Sequence, residues 1–172
     1  MTRKRQRSAV TELPNDLGFV ITYEFDAPIE RVFDAFTTRD RAEMARSEGE
    51  EVKVCTIDLR VGGSYHHVFA SADGTETSFR GTFLEVARPT RVAATWMMDA
   101  WPHAAAIESF DLRATAGVTT LTCRFEFRDQ ASRDAIPQDV MTRMMSTGFL
   151  ANFANVADLL SARLDPSGTV SG

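Results

Sequence analysis

From Phe19 to Phe25 the side chains alternate, with Phe19, Ile21, Tyr23 and Phe25 on one parity and Val20, Thr22 and Glu24 on the other. That period of two predicts a half-buried strand. Asp26-Ala-Pro28 ends it. Asp26 reads as a helix N-cap, Pro28 suits a first turn, and Glu30 favours the helix dipole. The helix over residues 28–37 then presents Ile29, Val32, Phe33 and Phe36 on one face. A second short helix over 39–46 carries only Met44 as a large apolar residue.

From Glu51 the period returns to two. Strands are predicted over 52–59, around Tyr65, His67 and Phe69, over 77–86, through Val92, Ala94 and Trp96, through Glu108, Phe110 and Leu112, and over 120–127. Asp73-Gly74 marks a hairpin. A two-residue turn there would set Phe79 and Phe83 opposite in face to Tyr65, His67 and Phe69. A three-residue loop with a bulge puts both sets on one face, and is preferred because it buries the aromatics together. After Ala131 the period becomes 3.6, with a stripe from Met141 through Met145, Phe149, Asn152, Phe153 and Val156 to Leu164. It predicts one long helix starting near Pro137. The fold class is α+β: a seven-stranded antiparallel sheet, two short helices after its first strand, and a closing helix packed on one face.

Size and charge narrow the function. The 172 residues suit one domain over 18–164, between a flexible basic tail, 1–17, and a disordered tail, 165–172. No run approaches the ~20 apolar residues that cross a bilayer, and no apolar run backs the basic start as in a signal peptide. Net charge is −5, and removing the positive charges of Arg3, Lys4, Arg5 and Arg7 leaves −9 on the rest. A body that acidic argues against nucleic acid. Two cysteines, Cys55 and Cys123, make no disulfide framework and read as buried thiols. Zinc spacings, phosphate loops, dinucleotide fingerprints and Gly-x-Ser-x-Gly elbows do not occur. A cytoplasmic protein with no metal, no cofactor and no membrane partner is expected.

The element order and several segments resemble the START/Bet v 1-like (SRPBCC) superfamily with its helix-grip fold, a curved sheet wrapped around a long C-terminal helix. The branch is the one related to the activator of the heat-shock protein 90 ATPase. Glu24-Phe-Asp-Ala-Pro28, Arg31-Val-Phe-Asp-Ala35, Asp58-Leu-Arg-Val-Gly-Gly63, Asp73-Gly74-Thr75, Arg80-Gly-Thr-Phe-Leu-Glu-Val86, and Arg91 leading to Thr95-Trp96 carry the likeness. Where relatives often have Trp-Trp-Gly after the second helix, this chain reads Ala42-Glu-Met-Ala-Arg46 and Ser47-Glu-Gly49. His67 and Ala94 stand where aromatics are common, which should enlarge or polarise a cavity.

The resemblance implies a ligand chamber between sheet and helix. Its inward set is Tyr65, His67, Phe83, Trp96, Glu108 and Phe110 from the sheet, with Met145, Phe149 and Asn152 from the helix. Phe83, Phe110, Phe149 and the methionines also fit plain core packing. Gly148 implies close helix–sheet approach or room for a ligand, because it weakens a helix. His67 and Glu108 are candidate acid or base groups on separated strands, able to meet only across a ligand or water. His66 faces the other way and cannot share a metal with His67. Asp99, Trp101 and His103 read as a loop cluster at the mouth of the chamber, in the position of a lid, with His103 exposed. The leading expectation is a non-enzymatic binder of a small hydrophobic molecule (a secondary metabolite, lipid or aromatic compound) that sequesters it or confers resistance. The alternative is a polyketide cyclase or aromatase-like enzyme using the same cavity. A chaperone co-activator needs a client surface that one domain poorly supplies. Homodimerisation through the sheet's outer face or edge stays open.

Overall fold

The computed structural model describes residues 8–46 and 49–162. The basic cluster before residue 8 and the expected end of the chain after 162 lie outside the described residues. Eight strands form one antiparallel sheet: β1 Ser8–Glu12, β2 Gly18–Phe25, β3 Glu51–Ile57, β4 Ser64–Ala70, β5 Glu76–Ala87, β6 Arg91–Met98, β7 Trp101–Thr115 and β8 Val118–Phe127. Their spatial order is β1-β2-β8-β7-β6-β5-β4-β3. The seven expected strands are all present. The eighth, β1, comes from the segment read as a tail. Its five residues are exposed and attach to the edge of β2, so burial periodicity could not mark them.

Parity works as predicted where one face is buried. Phe19, Ile21, Tyr23 and Phe25 lie opposite Phe125, Cys123, Leu121 and Thr119 of β8, and the Phe19 and Phe125 rings stack at 5.3 Å. In the β4–β5 hairpin, Ser71 bonds Thr75 across a three-residue loop with Gly74 at φ 85°. His67 then pairs with Phe79 and Tyr65 with Gly81, so the aromatic sets share the concave face. A register shift between Phe83 and Glu85 leaves Leu84 exposed outside.

Two short helices cover one end of this face: α1, Ile29–Thr37, and α2, Arg39–Ala45. Pro28, not Asp26, occupies the N-cap of α1, with no side-chain cap bond. Thr37 and Thr38 donate their hydroxyls to the carbonyls of Phe33 and Asp34, and the extended backbone of Thr38 separates the helices. The break turns α2 across the sheet. A short helix absent from the sequence reading, α3 Gln130–Asp134, is capped by Asp129 accepting the Ser132 N–H at 2.8 Å. Burial of Ser132 hides its signal.

The closing helix starts at Gln138, next to the expected Pro137, but is not uniform. It runs as α4, Gln138–Arg143, a π-helical segment, Met144–Leu150, and α5, Ala151–Ala162. Thr142, Ser146 and Thr147 each donate a hydroxyl to the carbonyl four residues back, a pattern that bends helices. Gly148 weakens the same stretch. The wider turn interrupts the 3.6-residue stripe, and no residue in it is fully buried. The stripe resumes with Phe153, Val156, Ala157 and Leu160.

Gly81 is a required close approach. A Cβ there would sit 1.8 Å from the Thr95 carbonyl oxygen and 2.6 Å from Tyr65 Cε1. The Tyr65 ring crosses the space and donates its hydroxyl to that carbonyl at 3.1 Å, while Thr82 N–H donates to Thr95 Oγ1. Gly81→Ala should therefore destabilise by about 3 kcal/mol, the upper range for overpacking. A lowered urea midpoint with unchanged slope would show it.

Candidate functional site

Between the concave sheet and the helices lies a cavity of about 250 Å³. β3 to β7 form its floor, the C-terminal end of α1 and Arg41 of α2 one wall, and the π segment with Asn152 and Phe153 its roof. Most of the lining is aromatic or aliphatic. One cross-strand row explains where the polarity enters: Phe83, Ala94, Glu108, Phe125 and Phe19 are successive partners from β5 to β2. Glu108 is the single charge in that row, and Ala94 beside it leaves room above the sheet.

Glu108 is 5% exposed. Its carboxylate accepts a 2.7 Å hydrogen bond from the Arg41 guanidinium, whose side chain is 23% exposed and whose Cζ lies 4.8 Å over the Phe110 ring. Burial works against the charge of Arg41, but the attraction and hydrogen bond of Glu108 more than offset it and raise its pKa. The two side chains form a close salt bridge inside the cavity wall. Tyr65 is raised by burial, with Glu108 adding to the effect, so its phenol stays protonated.

His67 is 7% exposed, and its Nε2 finds no hydrogen-bond partner among the described residues. Burial, then the charges of Arg41 and His66, lower its pKa to about 4. It is neutral at pH 7. Asn152 Oδ1 is also buried without a partner among the described residues. Two hydrogen-bonding atoms in the cavity lining are therefore unsatisfied, a rare condition in protein interiors.

Eight of the nine sequence-derived site residues line this cavity: Tyr65, His67, Phe83, Trp96, Glu108, Phe110, Phe149 and Asn152. Met145 does not. It lines a separate groove with Met141, Phe19 and Gly18. His67 and Glu108 are separated by β5 and β6, as expected, and Glu108 is held by Arg41 instead. His66 faces outward and bonds Ser78. The lid reading of Asp99, Trp101 and His103 fails. Trp101 and His103 belong to β7, Asp99 pairs with Arg80, and none of the three lines the cavity. Cys55 and Cys123 are free, and burial raises both thiols.

Sequence reasoning missed Arg41. It lies in a helix too short and too polar to show a face. Its one available signal was a buried acid, Glu108, with no basic partner in the strands beside it. Gly148 lines the cavity, and a Cβ there would meet only the Arg143 carbonyl oxygen, at 3.8 Å, so close helix–sheet approach does not require glycine.

A long helix laid over a curved antiparallel sheet, with a cavity between them, defines a helix-grip protein. The family model described as activator of Hsp90 ATPase homolog 1-like protein matches residues 26–161, and the chain belongs to that family. The family is known for binding hydrophobic ligands. Solved structures of similar fold include a Rhodobacter sphaeroides protein, 18% identical, with a TM-score of 0.77 over 91% of this chain and 99% of that one. A Chromobacterium violaceum protein is 28% identical, with a TM-score of 0.66 over 82% and 96%. An Arthrobacter aurescens protein is 17% identical, with a TM-score of 0.74 over 95% and 98%. No curated protein matches. Among the described residues no helix is long and apolar enough to cross a membrane, and no group of three or more metal-ligating side chains comes together.

Two predictions test the electrostatics. Arg41→Met leaves the Glu108 carboxylate buried and unpaired. It should cost about 2 kcal/mol, below the range for fully buried pairs because Arg41 retains some exposure. Arg41→Met with Glu108→Leu should recover most of that loss in urea titrations. Secondly, an unfolded histidine takes up its proton near pH 6.5, while His67 in the fold does so only near pH 4. Between these values the unfolded state binds more protons. Stability therefore falls with falling pH, by about 1.4 kcal/mol per unit from this residue. His67→Leu should flatten the acid limb by that amount.

Proposed function

We propose that this protein binds a small, largely hydrophobic molecule between the sheet and the C-terminal helix and holds it out of solvent. The observation that carries this reading is an aromatic-lined cavity with a few convergent polar groups, two of them unsatisfied. Such a lining is the usual form of a small-molecule site. At about 250 Å³ the cavity is smaller than the roughly 300–1,000 Å³ of sites for drug-sized ligands. That favours an aromatic or other compact metabolite over a lipid. Tyr65, His67, Phe83, Trp96, Glu108, Phe110, Phe149 and Asn152 are the proposed contacts. A compact cavity also gives less support to cyclisation of a long polyketone chain, and Glu108, tied to Arg41, is a poor free base. The protein acts in this reading as a sequestering or resistance factor in the cytoplasm, where two free thiols are at home. Self-association has its best surface on the outer sheet face, where Leu84 and Ile107 stand exposed in a wide groove.

Filling the cavity is the direct test. Gly148→Leu and Ala94→Phe place new side chains into it from opposite sides. Native mass spectrometry of the purified wild type should show a non-covalent adduct that denaturation removes, and both variants should lose it while unfolding cooperatively. An adduct unchanged in both filled variants would overturn the assignment. So would a wild type that carries none and whose thermal transition is unmoved by saturating naphthalene, 1-naphthol and 1-naphthoate alike.

A further inference from the structure

The polar groups of the cavity specify more than a hydrophobic occupant. Four lining side chains bear on its charge preference: Arg41, Glu108, Glu50 and His67. Arg41 and Glu108 neutralise each other through a 2.7 Å contact. A carboxylate entering the cavity has Arg41 as its one cationic partner in the lining. Taking that partner would strip Glu108, 5% exposed, of its counter-charge, and breaking a buried pair from one side is strongly unfavourable. Glu50, half-buried in the same lining, adds repulsion. His67 offers an anion no positive charge, because it is neutral at pH 7.

The unsatisfied atoms point to what the cavity does accept. Asn152 Oδ1 can only accept, so it calls for a ligand O–H or N–H. His67 Nε2, nine-tenths buried by side chain, donates or accepts according to its tautomer. A hydroxyl serves either atom, since it donates one bond and accepts others. Around these atoms the walls are rings: Tyr65 and Phe69 flank His67 at 5.4 and 6.4 Å, with Phe79, Trp96 and Phe110 also on the lining.

We propose that the ligand is an uncharged one- or two-ring compound bearing a hydroxyl group, read by Asn152 and His67, and that the closed Arg41–Glu108 pair discriminates against its carboxylate analogues. This specificity rests on the binding function proposed above and narrows it to a chemical class.

Three probes of one shape separate the two ideas: 1-naphthol, naphthalene and 1-naphthoate, titrated into the full chain at pH 7. Trp96 in the lining supplies a fluorescence signal, and the shift in thermal transition an independent one. The expected order is naphthol first, tighter than both others by at least about tenfold, the worth of one net hydrogen bond to a buried group. Asn152→Leu and His67→Leu should reduce the naphthol advantage over naphthalene by about fivefold or more, with naphthalene affinity itself little changed. Naphthalene binding as tightly as naphthol would overturn the hydroxyl reading and leave the binding function standing. Naphthoate binding as tightly as naphthol would overturn the role of the ion pair. Failure of all three would overturn the cavity-binding function, and this specificity with it.

Discussion

Phe153 sets the distance between helix and sheet, and the cavity follows from that distance. Its ring meets Phe36 of α1 at 5.2 Å, Tyr23 of β2 at 5.9 Å, and Phe110 of β7 and Phe149 of the π segment at 6.4 Å each. These contacts pin one end of the helix to β2, β7 and α1. Eight strands spaced about 4.8 Å apart span roughly 34 Å, whereas a helix with its side chains is about 10 Å wide. One helix cannot cover such a sheet. The far strands, β3 to β6, curl over the gap that the pinned helix leaves, and large side chains fill it only in part.

The ion pair belongs to the same geometry. Thr38 breaks the helical backbone after α1, and α2 then carries Arg41 over the floor of the cavity. Glu108 sits on β7 next to Phe110, the strand that Phe153 anchors. A charge at that point of an aromatic row carries a desolvation cost that only a close partner offsets. Arg41 supplies it while laying its guanidinium on Phe110, so one side chain both compensates the carboxylate and packs the wall.

The legible and illegible parts of the chain divide along physical lines. Phe19 to Phe25 and Leu121 to Phe127 are buried on one face and solvated on the other, so their parity declares both strand and direction. Aromatic clustering even chose the β4–β5 register. The strand Ser8–Glu12 is exposed along its length and owes its form to backbone pairing with β2, which leaves no pattern in side chains. The π segment was invisible for a different reason. A 3.6-residue stripe fits Met141 through Leu160 well enough and groups Met145 with Phe149 and Asn152, of which only the last two line the cavity. Glu108 could be read as inward from parity. Its partner came from a polar helix where periodicity carries no weight.

Stability alone does not explain what gathers at the cavity. Gly148 weakens a helix by about 1 kcal/mol relative to alanine, although space for a Cβ exists. Ala94 lies between Phe83 and Glu108 where a larger apolar side chain would fill the gap. His67 Nε2 and Asn152 Oδ1 each forgo a hydrogen bond, at about 1–3 kcal/mol for a buried group. All four line the same 250 Å³. Elsewhere among the described residues the buried polar side-chain atoms are bonded, Ser132 Oγ excepted. Sacrifices of stability that were incidental would be scattered through the core. Concentrated around one cavity, they are what a chain retains when an occupant, and not the bare fold, completes the packing.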